Sequence, residues 1–294
     1  MEDTKNYDTL VLSGGGIKGF CLLGGIQCAM DLGLLKNINI YVGTSVGAII
    51  GYLLAIGYTP IEIIVGLYTN RWLEKMQYFN LVAMINGNGA TNFTNLNEAL
   101  EKLTLSKIGR LLTLSKLKEI FGKTLVCATY NMTICSMEYL GPDNHPDLPC
   151  LTALRMSANI PMIFDRFKYM DNYYIDGGMV DNFPIIKGVE IGEKVLGIYL
   201  QIQESSMRDD PEDGMVNYFL RLLYIPMIHS SKNQISQVKD KCITIPITGE
   251  MRNIIEFDIK SKTRLDMFSD GYESVKNFLN ATLSDKKEVE NQVN

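Results

Sequence analysis

Three short segments of this chain set reactive groups beside glycine, and each suits a different part of one reaction. Gly43-Thr44-Ser45-Val46-Gly47 holds a serine between two glycines, and Asp176-Gly177-Gly178 presents a carboxylate before a permissive pair. Gly14-Gly15-Gly16-Ile17-Lys18-Gly19 offers a run of backbone N–H groups with almost no side chains in the way. A hydroxyl can attack an acyl carbon, a carboxylate can take the hydroxyl proton, and convergent N–H groups can receive the oxyanion that forms.

The elements around these segments are those such chemistry needs. Ser45 follows the apolar run Ile38 to Val42 and precedes the helix-like stretch Val46 to Ile56. Strand, tight turn and helix in that order make a nucleophile elbow, and the flanking glycines permit the turn. The serine then lies by the first free N–H groups of a helix, which favour negative charge. Taken singly, each segment also has an ordinary reading. The pentapeptide is a helix start capped by Thr44 or Ser45, and Asp-Gly is a common turn at a strand end. Their joint presence points to a hydrolase.

The glycine run follows the strand-like Thr9 to Ser13 and opens the apolar-periodic segment Phe20 to Leu34. Gly14-x-Gly16-x-x-Gly19 in that setting matches the dinucleotide fingerprint, so a nucleotide-binding oxidoreductase using this loop is the alternative reading. The next strand should then end in an acidic residue for the ribose, but it ends in Gly43-Thr44-Ser45. A Walker loop is excluded, because Phe20-Cys21 stand where Lys and Ser or Thr are required.

A serine nucleophile usually takes its proton to histidine, and the chain has two. His145 lies in the polar turn sequence Gly141 to Asp147, and His229 follows Pro226. The chain order Ser45, Asp176, His229 is that of an α/β-hydrolase triad, yet in those folds several strands precede the elbow and here one does. The residues favour a Ser–Asp dyad.

In order and spacing the three segments, together with Ser157-Ala158-Asn159-Ile160-Pro161, resemble the signature of the patatin-like phospholipases. The resemblance runs from about Leu10 to Pro184 and is fainter at Glu256-Phe257-Asp258 and Gly271-Tyr272-Glu273. Lys18 departs from the family's usual arginine, keeping the charge and losing the planar fork. The resemblance implies an α/β fold of three layers, α/β/α, with a mainly parallel central sheet. It implies Ser45 as nucleophile, Asp176 as base, and an oxyanion hole at Gly14, Gly15, Gly16 and Gly19. Lys18, Gly43, Gly47, Gly177 and Gly178 support the motifs, and Ser157 to Pro161 shapes the site floor. It implies phospholipid or other acyl-lipid substrates, with no metal and no cofactor. A catalytically silent lipid-binding protein of the same fold is a further alternative.

Composition narrows the partners. The 294 residues carry a net charge of −5, with a pI near 5.2, which argues against nucleic acid and against strong attachment to anionic membranes. Peripheral membrane contact is then expected to be apolar. Six cysteines without Cys-x-x-Cys spacing and the acidic start Glu2-Asp3 lead to an expected cytoplasmic location, with Cys21 and Cys28 packed on one helix face. Residues 1–283 are expected to form a single catalytic domain, with 284–294 a solvated tail; the sequence sets no oligomeric state.

Further elements are predicted from punctuation and period. Thr59 caps a helix from Pro60 to about Met76, and Gln77 to Phe93 is a loop near the site. Asn95 and Ser115 cap helices, and Gly122 stops one before strand Thr124 to Thr129. Ile134 to Leu140, Val195 to Ile202 and Cys242 to Ile247 are strands, and Thr263 to Leu279 is the final helix. Gln203 to Gly214 is a surface loop. The helix bearing Tyr218, Phe219, Leu222, Leu223 and Ile225, interrupted at Pro226, is either core or a cap over the acyl pocket that touches membrane.

Overall fold

Apolar strands that lack a polar alternation must be covered on both faces, and the strands here feed two separate apolar clusters. In β1 (Thr9–Leu12), Leu10 and Leu12 enter one cluster and Val11 the other. In β2 (Ile40–Thr44), Tyr41 and Val42 divide the same way. The larger cluster lies under α1 (Gly19–Asp31), α2 (Val46–Ala55), α3 (Pro60–Thr69) and α4 (Thr94–Ile108). The smaller packs against α7 (Ile185–Ile191) and α8 (Met215–Val238). The structure is a computed structural model that describes residues 7–69, 80, 86, 89–203, 215–238, 242–249 and 261–293.

Among the described residues, one eight-stranded sheet runs in the order β5-β6-β3-β2-β1-β7-β8, with β4 paired to β3. The new strands are β3 (Thr124–Asn131), β4 (Ser136–Leu140), β5 (Phe167–Tyr169), β6 (Asn172–Asp176), β7 (Val195–Ile202) and β8 (Cys242–Gly249). From β3 to β8 the pairings are parallel, whereas β4, β6 and β5 add antiparallel. The sheet is therefore mixed, a parallel core with an antiparallel flank, between helical layers. β1 sits between β2 and β7, so chain order reverses there, and the crevice beyond such strand ends is where α/β sheets bind ligands.

One detail of register places the site. β4 covers one edge of β3 over Cys127–Asn131, so β2 and β6 share the other edge. Along it Thr44 of β2 pairs with Ala128, and Asp176 of β6 pairs with the next residue, Thr129. β2 runs parallel to β3 and β6 antiparallel. Their carboxyl ends therefore meet head to head.

The final helix, α9 (Ser261–Val293), crosses α1 at a glycine pair. A Cβ on Gly24 would stand 1.9 Å from the Phe268 carbonyl, and one on Gly271 1.9 Å from the Cys21 carbonyl. Backbone contact at this crossing accounts for both glycines, and it leaves Cys21 and Cys28 buried as expected. α9 extends past Leu279, where the final helix was expected to stop.

Other local expectations fare unevenly. Thr59 and Glu62 form a reciprocal capping box, Glu62 N–H to Thr59 Oγ1 at 3.2 Å and Thr59 N–H to Glu62 Oε2 at 2.7 Å. Gly122 ends α5 (Leu114–Phe121) in the left-handed conformation. The cap of α5 is Thr113, whose Oγ1 accepts the Lys116 N–H, rather than Ser115. Before α4, Asn92 accepts the Thr94 N–H in place of Asn95. In both cases a neighbouring polar residue reaches a free amide of the first turn. The loop expected over Gln77 to Phe93 lies outside the described residues except at 80, 86 and 89–93, as do Glu256 to Asp258 and all but Gln203 of the loop Gln203 to Gly214.

Candidate active site

Ser45 lies between β2 and α2 with φ 55° and ψ −124°, a left-handed backbone that a non-glycine residue adopts at a cost of about 1–3 kcal/mol. Its neighbours make the turn possible. A Cβ on Gly43 would stand 2.5 Å from the Ala48 nitrogen, and one on Gly47 2.5 Å from the carbonyl oxygens of Leu12 and Ser13. Glycine at both places lets α2 start directly against β1. The strained turn is then pinned from α6 (Cys150–Ser157): Ser157 Oγ accepts the Ser45 N–H at 3.0 Å and donates to the Ala128 carbonyl at 2.6 Å.

Asp176 ends β6 and caps the short 3-10 turn Gly177–Met179, its Oδ1 accepting the Gly178 N–H at 2.7 Å. Its own N–H donates to the Asn159 carbonyl at 2.9 Å. Asn159 Nδ2 donates to the Tyr174 carbonyl, so one residue brackets the end of β6. A Cβ on Gly177 would stand 2.3 Å from the Ala128 carbonyl, which is why glycine follows the aspartate. Burial raises the Asp176 carboxyl from 3.8 to about 6, against the lowering effect of hydrogen bonds from the Ser45 hydroxyl and the Gly178 N–H. The structure thus brings the Ser45 side chain and the Asp176 carboxyl together in one pocket, close enough for the hydroxyl to affect the carboxyl.

The glycine loop passes over the serine. A Cβ on Gly14 would approach Ser45 Cβ at 3.3 Å and Asn182 Oδ1 at 2.5 Å. The loop's amides are not equivalent. Gly14 N–H donates to the Asn182 carbonyl at 2.9 Å, and Gly19 N–H to the carbonyls of Gly16 and Ile17. Gly15 and Gly16 are the loop residues that line the pocket holding Ser45 and Asp176. Lys18 and the two histidines are not among the lining residues. His229 lies on α8, and His145 in the turn before α6.

Several contributors to this site carry no sequence signal of their own. Asn182 faces the pocket and holds the glycine loop through its carbonyl. Asp181, buried beside it, accepts the Tyr139 hydroxyl at 2.6 Å, and its carbonyl accepts Thr44 Oγ1 at 2.9 Å, which ties the end of β2 to this loop. Tyr224 and Met227 reach the pocket from α8, and of Ser157 to Pro161 Ile160 is among its lining residues. The pocket holds about 30 Å³, room for roughly two waters. Gly16 also lines a second, almost wholly apolar cavity of about 70 Å³, which runs from Gly19 and Val46 to Leu100 and Leu103.

The Patatin-like phospholipase family model matches residues 10–187, a span that takes in the glycine loop, the elbow and Asp176-Gly177-Gly178. The chain belongs to the patatin-like phospholipase family. A probable lipid hydrolase of Invertebrate iridescent virus 6 is 37% identical over 190 residues, 62% of this chain and 63% of that protein, so the match spans less than two thirds of the relative. An uncharacterized protein of Acanthamoeba polyphaga mimivirus is 26% identical over 282 residues, 91% of this chain and 92% of that one. Among solved structures, VipD from Legionella pneumophila has the same fold at a TM-score of 0.55 and 18% identity, over 94% of this chain and 67% of its own. Among the described residues no single helix is long and apolar enough to cross a membrane.

Proposed function

We propose that the protein is a serine lipid acyl hydrolase that cleaves carboxylic esters of phospholipids or related acyl lipids, with Ser45 as nucleophile and Asp176 as its base. The observation that carries this reading is a strained, buried serine sharing one pocket with a buried aspartate raised to about 6. Ser45 Oγ attacks the ester carbonyl carbon and its proton passes to Asp176. The oxyanion is received by the backbone N–H groups of Gly15 and Gly16, each worth about 10²–10³ in rate by analogy with other such donors. The tetrahedral intermediate collapses, the carbon–oxygen bond to the alcohol breaks, and Asp176 returns the proton to the leaving oxygen. Water, deprotonated by Asp176, then attacks the acyl-enzyme. Ser45 regains the proton as the fatty acid leaves.

A carboxylate at its ordinary pKa is poorly matched to this work, and burial corrects the mismatch. A base with a pKa near the operating pH combines the ionised form with a useful proton affinity. The apolar cavity lined by Gly16 and Val46 offers the apolar surface an acyl chain needs, and at about 70 Å³ it takes the first methylenes of that chain. The iridescent virus relative, described as a probable lipid hydrolase, supports the same substrate class.

The test is acyl release from a panel of phospholipids, lysophospholipids and neutral lipids, with fluorophosphonate labelling alongside. Ser45→Ala and Asp176→Asn are expected to abolish turnover, and Ser45→Ala to abolish labelling, while His145→Ala and His229→Ala retain both. Turnover that survives Ser45→Ala, or saturable NAD(P) binding indifferent to it, would overturn the reading.

A further inference from the structure

Helix α8 carries two apolar faces with different surroundings. Tyr224 and Met227 point inward, line the pocket beside Ser45 and Asp176, and are each only 9% exposed. Met227 Cε lies 3.2 Å from where a Cβ on Gly178 would stand, and the proximity of Asp176 adds to burial in raising the Tyr224 hydroxyl. Tyr218, Leu222 and Ile225, spaced as one helical stripe, are 51%, 47% and 45% exposed. The helix is latched to the segment after Asp176: Ser230 Oγ donates to the Val180 carbonyl at 3.0 Å.

Tyr224 and Met227 crowd this pocket, and an acyl ester needs more space beside Ser45 than its volume of about 30 Å³. Tyr224 and Met227 must withdraw before a lipid reaches Ser45, and in water that movement would expose more apolar surface. An aggregated lipid surface removes the obstacle, because it buries the outer stripe and supplies the substrate at the same place. Charge agrees. α8 contains Arg221 and Lys232 and no Asp or Glu, in a chain whose net charge is −5. Pro226, between the two faces, lacks the N–H that would bond the Leu222 carbonyl, a weak point in the helix where a bend is least opposed.

We propose that α8 is a lid whose Tyr218–Leu222–Ile225 stripe docks on an aggregated phospholipid surface, and that docking draws Tyr224 and Met227 away from Ser45. The lid function rests on the acyl-hydrolase reading; the docking does not. Vesicle flotation with the inactive Ser45→Ala protein reads docking alone, using phosphatidylcholine vesicles containing phosphatidylglycerol. Ser45→Ala is expected to float with the vesicles, and adding Leu222→Gln and Ile225→Gln to weaken binding about tenfold or more. In the active protein, hydrolysis of dihexanoylphosphatidylcholine is expected to jump as monomers give way to micelles. The Leu222→Gln, Ile225→Gln variant should lose that jump while keeping its rate on soluble p-nitrophenyl butyrate and its melting temperature. Wild-type-like flotation and micellar activation in that variant would overturn the proposal, as would failure of the Ser45→Ala protein to bind vesicles. Stripe-dependent flotation without fluorophosphonate labelling would instead sink the hydrolase reading and leave the docking surface standing.

Discussion

Ser45 and Asp176 face one another because the strands that carry them run head to head along one edge of β3, Thr44 paired with Ala128 and Asp176 with Thr129. Neither residue needs a long loop to reach the other. Both stand at the end of a hydrogen-bonded strand, so the separation between hydroxyl and carboxylate is set by sheet register rather than by flexible side chains.

The pH dependence of catalysis should report the burial of Asp176. With its carboxyl raised to about 6, kcat/KM for a soluble ester is expected to rise with pH, bend near 6, and reach a plateau above about 7. The free-enzyme limb is read from kcat/KM between pH 4 and 9. A limb centred near 4 would mean that the carboxylate is solvated in the working enzyme and that the proposed tuning is wrong.

The same burial has a stability consequence of opposite sense. The folded protein holds the Asp176 proton more tightly than the unfolded chain, so stability falls as pH rises from about 3.8 to 6 and stays lowered above that window. At about 1.36 kcal/mol per pH unit the penalty is about 3 kcal/mol. Asp176→Asn, which keeps an acceptor for Gly178 N–H and gains a donor for Ser45 Oγ, should therefore be inactive and more stable than wild type at pH 7.5. Denaturant melts at pH 7.5 and pH 4 test this. The difference must shrink at the lower pH.

Ser157 is a positioning residue for the elbow. Ser157→Ala leaves the Ser45 N–H buried without its acceptor, a cost of about 1–3 kcal/mol, and frees a backbone held at φ 55°. A misplaced nucleophile loses about 10²-fold in rate, so kcat should fall by 10- to 100-fold with KM nearly unchanged. Equal changes in kcat and KM, or none in either, would remove Ser157 from this role.

Chain-length selectivity should respond to the apolar cavity. Leu100 lines it from α4, and Leu100→Trp takes up part of its volume. In a hydrophobic pocket each methylene is worth about 10–200-fold in discrimination. The ratio of long-chain to butyryl ester hydrolysis is expected to fall at least tenfold in Leu100→Trp, measured as kcat/KM across an acyl series. An unchanged ratio would place the acyl chain elsewhere.

Much of this molecule was legible because its signals are local. Glycines at 43, 47 and 177 answer to backbone atoms within 2.5 Å of a missing Cβ, and such requirements print themselves as residue types at fixed spacing. Buried strands print as apolar runs, and Thr59 with Glu62 prints as a capping box. Capping residues are not legible where two neighbours compete for one role, as with Thr113 against Ser115 and Asn92 against Asn95. Nor do Asn182, Tyr224 and Met227 stand out, being ordinary residue types whose importance comes from what stands opposite them.

The sequence by itself determined the family, the strand-turn-helix units and the candidate serine and aspartate, because each depends on backbone conformations that neighbouring residues permit or forbid. Only the tertiary structure decided the rest. It paired β2 and β6 on one edge of β3, engaged the amides of Gly14 and Gly19 while leaving Gly15 and Gly16 at the pocket, and laid α8 across Ser45. It also set the acidity of Asp176, since desolvation is supplied by elements distant in the chain and no local pattern records which of them will pack there.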